Sequence, residues 1–194
     1  MLMKAPTDSA STLQHRRICV MSVLALATAA SVGSAPLADH LQIPYASTKP
    51  YHDFESFYPF YISQHQDVTC RALHFVGTSL VIFIILMDLD IALAMMMGAC
   101  SGMVTFSMTR HVKTGLFEMA TCAATFLATF YYLSRSLKKA LMILFLGYGF
   151  AWCGHFFFEG NRPATFIYPT LSLCGDFRLW YDLAAQKTKF DLRN

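Results

Sequence analysis

Four apolar runs, roughly 72–87, 91–109, 115–133 and 139–158, follow one another with only short polar interruptions at 88–90, 110–113 and 134–139. Each run approaches the roughly 17–25 residues that a helix needs to cross a bilayer. Connections this short force neighbouring helices to run antiparallel. The pattern predicts an all-α integral membrane protein, a four-helix bundle with an amphipathic aromatic segment ahead of the first span. Composition agrees: 55% of the residues are hydrophobic and 14% charged, against about 25% charged in soluble domains. A net charge of +3 is too small and too scattered to suggest nucleic acid as a partner.

An even number of spans returns the chain to the side on which it started. His65 and His74 precede or open the first span, and His155 and Glu159 close the fourth. The connection holding His111 falls on that same side, as does the tail with Asn161, Arg162, Asp176 and Arg178. Topology therefore gathers every histidine after residue 60 at one mouth of the bundle. Arg71, Arg110, Lys113, Arg162 and Arg178 lie there, against Arg135, Lys138 and Lys139 at the other end. That modest bias places the histidine end in the cytosol.

The chain divides into three regions: a targeting or linker extension over 1–50, a membrane catalytic domain over 51–182 and a polar tail over 183–194. Residues 18–30 form a short apolar run behind Lys4, Arg16 and Arg17, with small residues after it. This is the shape of a signal peptide or mitochondrial targeting sequence, with a weak extra span as the alternative. Pro36, Pro44 and Pro50 mark residues 36–50 as a linker. The aromatic stretch 51–61 is too polar to span, and its rings suit the headgroup level or amphipathic packing.

Neutral imidazole is the commonest metal-binding side chain. His65, His74 and His155 have the makings of a mononuclear site, with Glu159 and Asp176 near in sequence. The spacing sets a condition. Nine residues of continuous helix turn through about 900°, which would aim His65 and His74 at opposite faces, so the helix must break near 66–69. Glu159 is placed either to pair with Arg162 or to orient a histidine, Asp176 is equally placed to pair with Arg178, and His111 reads as a surface residue of a basic loop. The six cysteines contain no C-x-x-C pair and most sit in apolar runs, where a thiol behaves as a small hydrophobe. Membrane lipid hydroxylases and desaturases hold two irons in H-x-x-x-H and H-x-x-H-H patterns. This chain has seven histidines and neither pattern, which argues against a di-iron centre.

Two ordered blocks carry a resemblance. The first is Phe57-Tyr58-Pro59-Phe60-Tyr61, then His65, Cys70-Arg71, Leu73-His74 and Gly77-Thr78. The second runs from His155 and Glu159 through Asn161-Arg162-Pro163-Ala164-Thr165, Tyr168-Pro169, Ser172-Leu173 and Asp176. Over roughly 51–182 the chain resembles the DUF962 family of Mpo1-type 2-hydroxy fatty acid dioxygenases of the endoplasmic reticulum. The resemblance implies an Fe(II)-dependent enzyme of fatty acid α-oxidation, using O2 to remove one carbon from a 2-hydroxy fatty acid, as in phytosphingosine breakdown. It implies that His65, His74 and His155 hold Fe2+, with open positions for O2 and for the substrate's carboxylate and 2-hydroxyl. Arg71 or Arg162 would steer that carboxylate at the bilayer surface, and the acyl tail would lie between spans. The contrasting reading is a non-catalytic membrane scaffold or lipid-binding protein, its histidines capping helices.

Overall fold

The structure, a computed structural model, describes residues 9–190. Lys4, which belongs to the basic start of the chain, lies outside the described residues. Among the described residues seven helices succeed one another: α1 (Ala10–His40), α2 (Phe54–Ser63), α3 (Val68–Met87), α4 (Leu89–Met108), α5 (Leu116–Ser134), α6 (Leu137–Cys153) and α7 (Pro169–Ala184). A single π-helical turn, Gly154–Glu159, extends α6, and a 3-10 turn, Ala164–Phe166, precedes α7. Side-chain caps mark the starts: the carboxylate of Asp67 accepts from the amides of Thr69 and Cys70, and Ser136 accepts from Lys139.

The protein is an all-helical, multi-pass membrane bundle, as the apolar runs predict, but the count differs. Among the described residues five helices, α1, α3, α4, α5 and α6 with its π turn, are long and apolar enough to cross a membrane. The fifth is α1, which runs unbroken through Pro36 into what reads from sequence as linker. It is as apolar as the other spans, and its few hydroxyls are accommodated within it. Ser22 donates to the Ile18 carbonyl, Thr28 to Leu24 and Ser31 to Thr28, so these hydroxyls are satisfied inside the helix. Ser34 pairs with Ser107 of α4 at 2.9 Å.

Ion pairs near both ends set α1 parallel to α4. Arg17 donates to Asp90 at 2.7 Å at the start of α4, and Arg110, just past its end, donates to Asp39 at 2.6 Å. Val20 and Leu24 close the seam against Leu93 and Leu133. Arg16 and Arg17 thereby join Arg135, Lys138 and Lys139 at the end away from the histidines, and the charge bias inferred from four spans narrows.

At the histidine end the packing is aromatic. Phe57 and Tyr61 of α2 are buried with Phe106, Tyr168, Leu171 and Leu179, so the stretch 51–61 serves mainly as packing. Helix α7 lies across this end and carries Asp176 past Tyr61. Gly175 makes that crossing feasible, since a Cβ there would come within 2.8 Å of the Tyr61 ring.

Its N-terminus is fixed from α5. Glu118, 1% exposed, accepts from the Thr170 amide at 2.7 Å. Lys49, itself fully buried, lies within the field of that carboxylate, and burial pushes its ammonium below the ordinary lysine value. A buried amide stripped of its acceptor costs about 1–3 kcal/mol. Glu118→Ala is therefore expected to lower stability by about that amount, and Glu118→Gln, which keeps an acceptor oxygen, by less. Thermal unfolding of both variants in detergent checks this.

Candidate metal centre

The helix breaks where the spacing requires. Helix α2 ends at Ser63 and α3 begins at Val68, with Asp67 as its cap. The intervening turn is held by a residue at the end of the last span. Glu159 receives the Gln66 amide on one carboxylate oxygen and the Asp67 amide on the other, both at 2.7 Å. Glu159 thus fixes the backbone between two histidines rather than pairing with Arg162, whose guanidinium lies 4.7 Å over the Phe166 ring.

Three imidazoles converge inside this turn. His65 is 0%, His74 5% and His155 2% exposed. Their ring centroids stand 4.5, 4.6 and 5.1 Å apart, and the rings meet edge to face. The π turn places His155 here, and Gly160, in the left-handed region at φ 69°, ends it.

Each ring is held through Nδ1 by an oxygen on its outer side. His65 Nδ1 lies 2.6 Å from the Tyr61 carbonyl, His74 Nδ1 2.8 Å from Asp176 Oδ1, and His155 Nδ1 2.7 Å from Asn161 Oδ1. A carbonyl can only accept, which makes His65 Nδ1 the protonated nitrogen. Burial, and then the neighbouring His74 and His155, hold His65 well below the ordinary imidazole value, so it is neutral. The outer oxygens are themselves braced. Asp176 accepts from the Tyr61 hydroxyl at 2.5 Å, and Asn161 donates to the Gln64 carbonyl at 3.0 Å.

The inner nitrogens complete the picture. His65 Nε2 and His74 Nε2 are buried and have no hydrogen-bond partner. An orphaned buried polar atom is costly, and two beside a third imidazole make a cage for a cation. Metal-binding histidines characteristically donate their other N–H to a carboxylate or carbonyl, and all three rings have that arrangement. Cys70 completes the group, one donor atom from each of the four residues lying within 4.8 Å of the others. Donors on one tetrahedral ion stand roughly 3.3–3.8 Å apart, so an inward shift of about an ångström would bring all four onto one ion. The residues present fit a divalent metal.

A cavity of about 110 Å³ opens from His74 and His155 into the bundle. Tyr61, Thr78, Ser172 and Asp176 line its polar end, and Val81, Met95, Phe126 and Ile143 its apolar depth. Neither arginine lines it. Arg71 is fully buried behind His65, donating to the His65 carbonyl at 2.8 Å and to the Lys189 carbonyl. His111 is exposed in the turn between α4 and α5 and takes no part in the cluster.

The Mpo1-like family model, described as 2-hydroxy-palmitic acid dioxygenase Mpo1-like, matches residues 51–188. The chain belongs to the Mpo1-like family. No curated protein and no solved structure matches the chain. The matched Mpo1-like region contains the whole cluster and every outer oxygen that orients it, and α1 precedes it.

Sequence reading missed the Tyr61 carbonyl, which no side-chain pattern reveals, and Cys70, whose i, i+4 spacing from His74 was the available signal. Arg178 is not the partner of Asp176, because it donates to Asp182 at 3.1 Å. Removing an outer oxygen should loosen the cage. Asn161→Ala is expected to lower affinity for a divalent first-row ion about 10–100-fold with helical content unchanged, as read by metal titration alongside circular dichroism.

Proposed function

We propose that this chain is an Fe(II)-dependent dioxygenase that shortens 2-hydroxy fatty acids by one carbon, in the manner of fatty acid α-oxidation and phytosphingosine breakdown. The observation that carries the reading is the set of three buried imidazoles, each held outward by an oxygen, at the polar end of an apolar cavity between spans. Family membership supplies the substrate class. His65, His74 and His155 would hold Fe2+, which in a three-histidine setting supplies redox chemistry towards O2 and open positions for chelation.

The chain's own residues bind and orient. The Ser172 hydroxyl is buried without a partner in the cavity wall, and Thr78 lines the same cavity, so these two would receive the carboxylate and 2-hydroxyl of the substrate. Asp176 and Asn161 keep His74 and His155 turned so that Nε2 faces inward. Tyr61 holds Asp176 and excludes water from that side.

The cavity is smaller than the roughly 300–1,000 Å³ of pockets that engulf a drug-sized ligand. A long acyl chain would therefore continue past Phe126 and Ile143 towards lipid. Exposed Phe156, Phe157 and Phe158, directly after His155, suit the interfacial level where such a chain arrives. The reading carries an endoplasmic-reticulum membrane setting.

Detergent-purified protein is loaded anaerobically with Fe(II), given a 2-hydroxy fatty acid and then O2, and the product is followed by mass spectrometry. The acid one carbon shorter is expected from the parent, and none from a folded His155→Ala variant. Turnover that survives His155→Ala would sink the ligand assignment. Iron binding without any shortened product would favour another lipid substrate, and a chain that binds no iron would favour the scaffold.

A further inference from the structure

We infer that Cys70 is a fourth protein donor to this centre, so that its ion is held by three imidazoles and one thiolate. The inference rests on reading the histidine cluster as a metal site and deepens it.

Cys70 is fully buried, and its sulfur lies in the same 4.8 Å enclosure as the donor atoms of His65, His74 and His155. It sits one helical turn before His74 on α3, so the two side chains share a face. The end of α6 is pressed against it. A Cβ on Gly154 would come within 3.0 Å of the Cys70 sulfur and 3.2 Å of its Cα, so the missing side chain is what lets the next residue, His155, reach the thiol.

A buried free cysteine is ordinarily a small hydrophobe, and the company it keeps separates this one from the rest. The space it faces also receives two buried imidazole nitrogens that lack any other partner. The remaining five cysteines are partly buried or exposed, and none belongs to such a group among the described residues.

Coordination replaces the sulfur–hydrogen bond with a sulfur–metal bond, and the proton leaves to solvent. No electron is transferred in that step. Three neutral imidazoles leave the full charge of a divalent ion in place, whereas a thiolate lowers it by one unit. A thiolate is also the soft donor of the set and tilts the site towards ions that accept sulfur, such as zinc, beyond what imidazole alone would do.

The test titrates detergent-purified apo-protein anaerobically with Co(II) alone. One equivalent is expected to bind with a near-ultraviolet sulfur-to-cobalt charge-transfer band, and X-ray absorption of the parent should show one sulfur scatterer among nitrogens. Cys70→Ser should lose the band, keep the ligand-field bands of a histidine-bound ion, and bind more weakly by at least the roughly 10–100-fold typical of losing an outer-shell partner. Cys153→Ser should change neither. Bound cobalt with only nitrogen and oxygen scatterers and no charge-transfer band would overturn the fourth donor and leave the three-histidine site standing. A parent that binds no cobalt would overturn both.

Discussion

The arrangement at the histidine end depends on one carboxylate. Glu159, at the end of the last span, accepts the two amides of the turn that precedes the first long span of the matched region. Those amides lie more than ninety residues away along the chain, and the bond holds open the helix break that lets His65 and His74 face one point. Without it, two adjacent N–H groups in a partly buried turn would lose their acceptor, and a continuous helix would become a competing conformation. The charge is also well placed physically, since Glu159 lies just ahead of the start of α3, which Asp67 caps, and there the exposed amides and the helix dipole both favour an anion.

Much of this end was legible in the sequence because topology decides most of it. Short connections between long apolar runs leave little choice about which ends meet, and His65, His74 and His155 fall at those ends. The required break near 66–69 stems from helix geometry alone. What sequence could not supply were partners chosen by distance in space. Asp176 had a local alternative in Arg178, and only the crossing of α7 over Tyr61 decides for His74. The Tyr61 carbonyl is backbone, which carries no residue signature at all. Helix α1 is as apolar as the other spans. It was hidden because its place behind Arg16 and Arg17 near the start of the chain gave it the shape of a targeting segment, and Pro36 gave its end the look of a linker.

Burial of charge obeys the same logic elsewhere. Lys49 and Glu118 sit out of water beside the start of α7, and Arg71 is buried beneath His65. Such groups are expensive unless they hold something in place, and two of them hold backbone: Glu118 the Thr170 amide, Arg71 the His65 and Lys189 carbonyls. The polar residues behind the cluster thus fix the main chain, and the main chain aims the rings.

The π-helical turn bears on how such a chain can change over generations. A π turn carries more residues per turn than an α-helix, so the register of everything after Gly154 depends on the number of residues in that short stretch. Losing a single residue there while the wider turn persists would set each residue beyond it one position back around the helix. Glu159 and Asn161 would then leave the turn and the ring they serve. Substitutions at Phe156, Phe157 and Phe158 are tolerable in comparison, because these side chains point outward. At Phe156, Phe157 and Phe158 the lineage is free to vary letters and not to vary length.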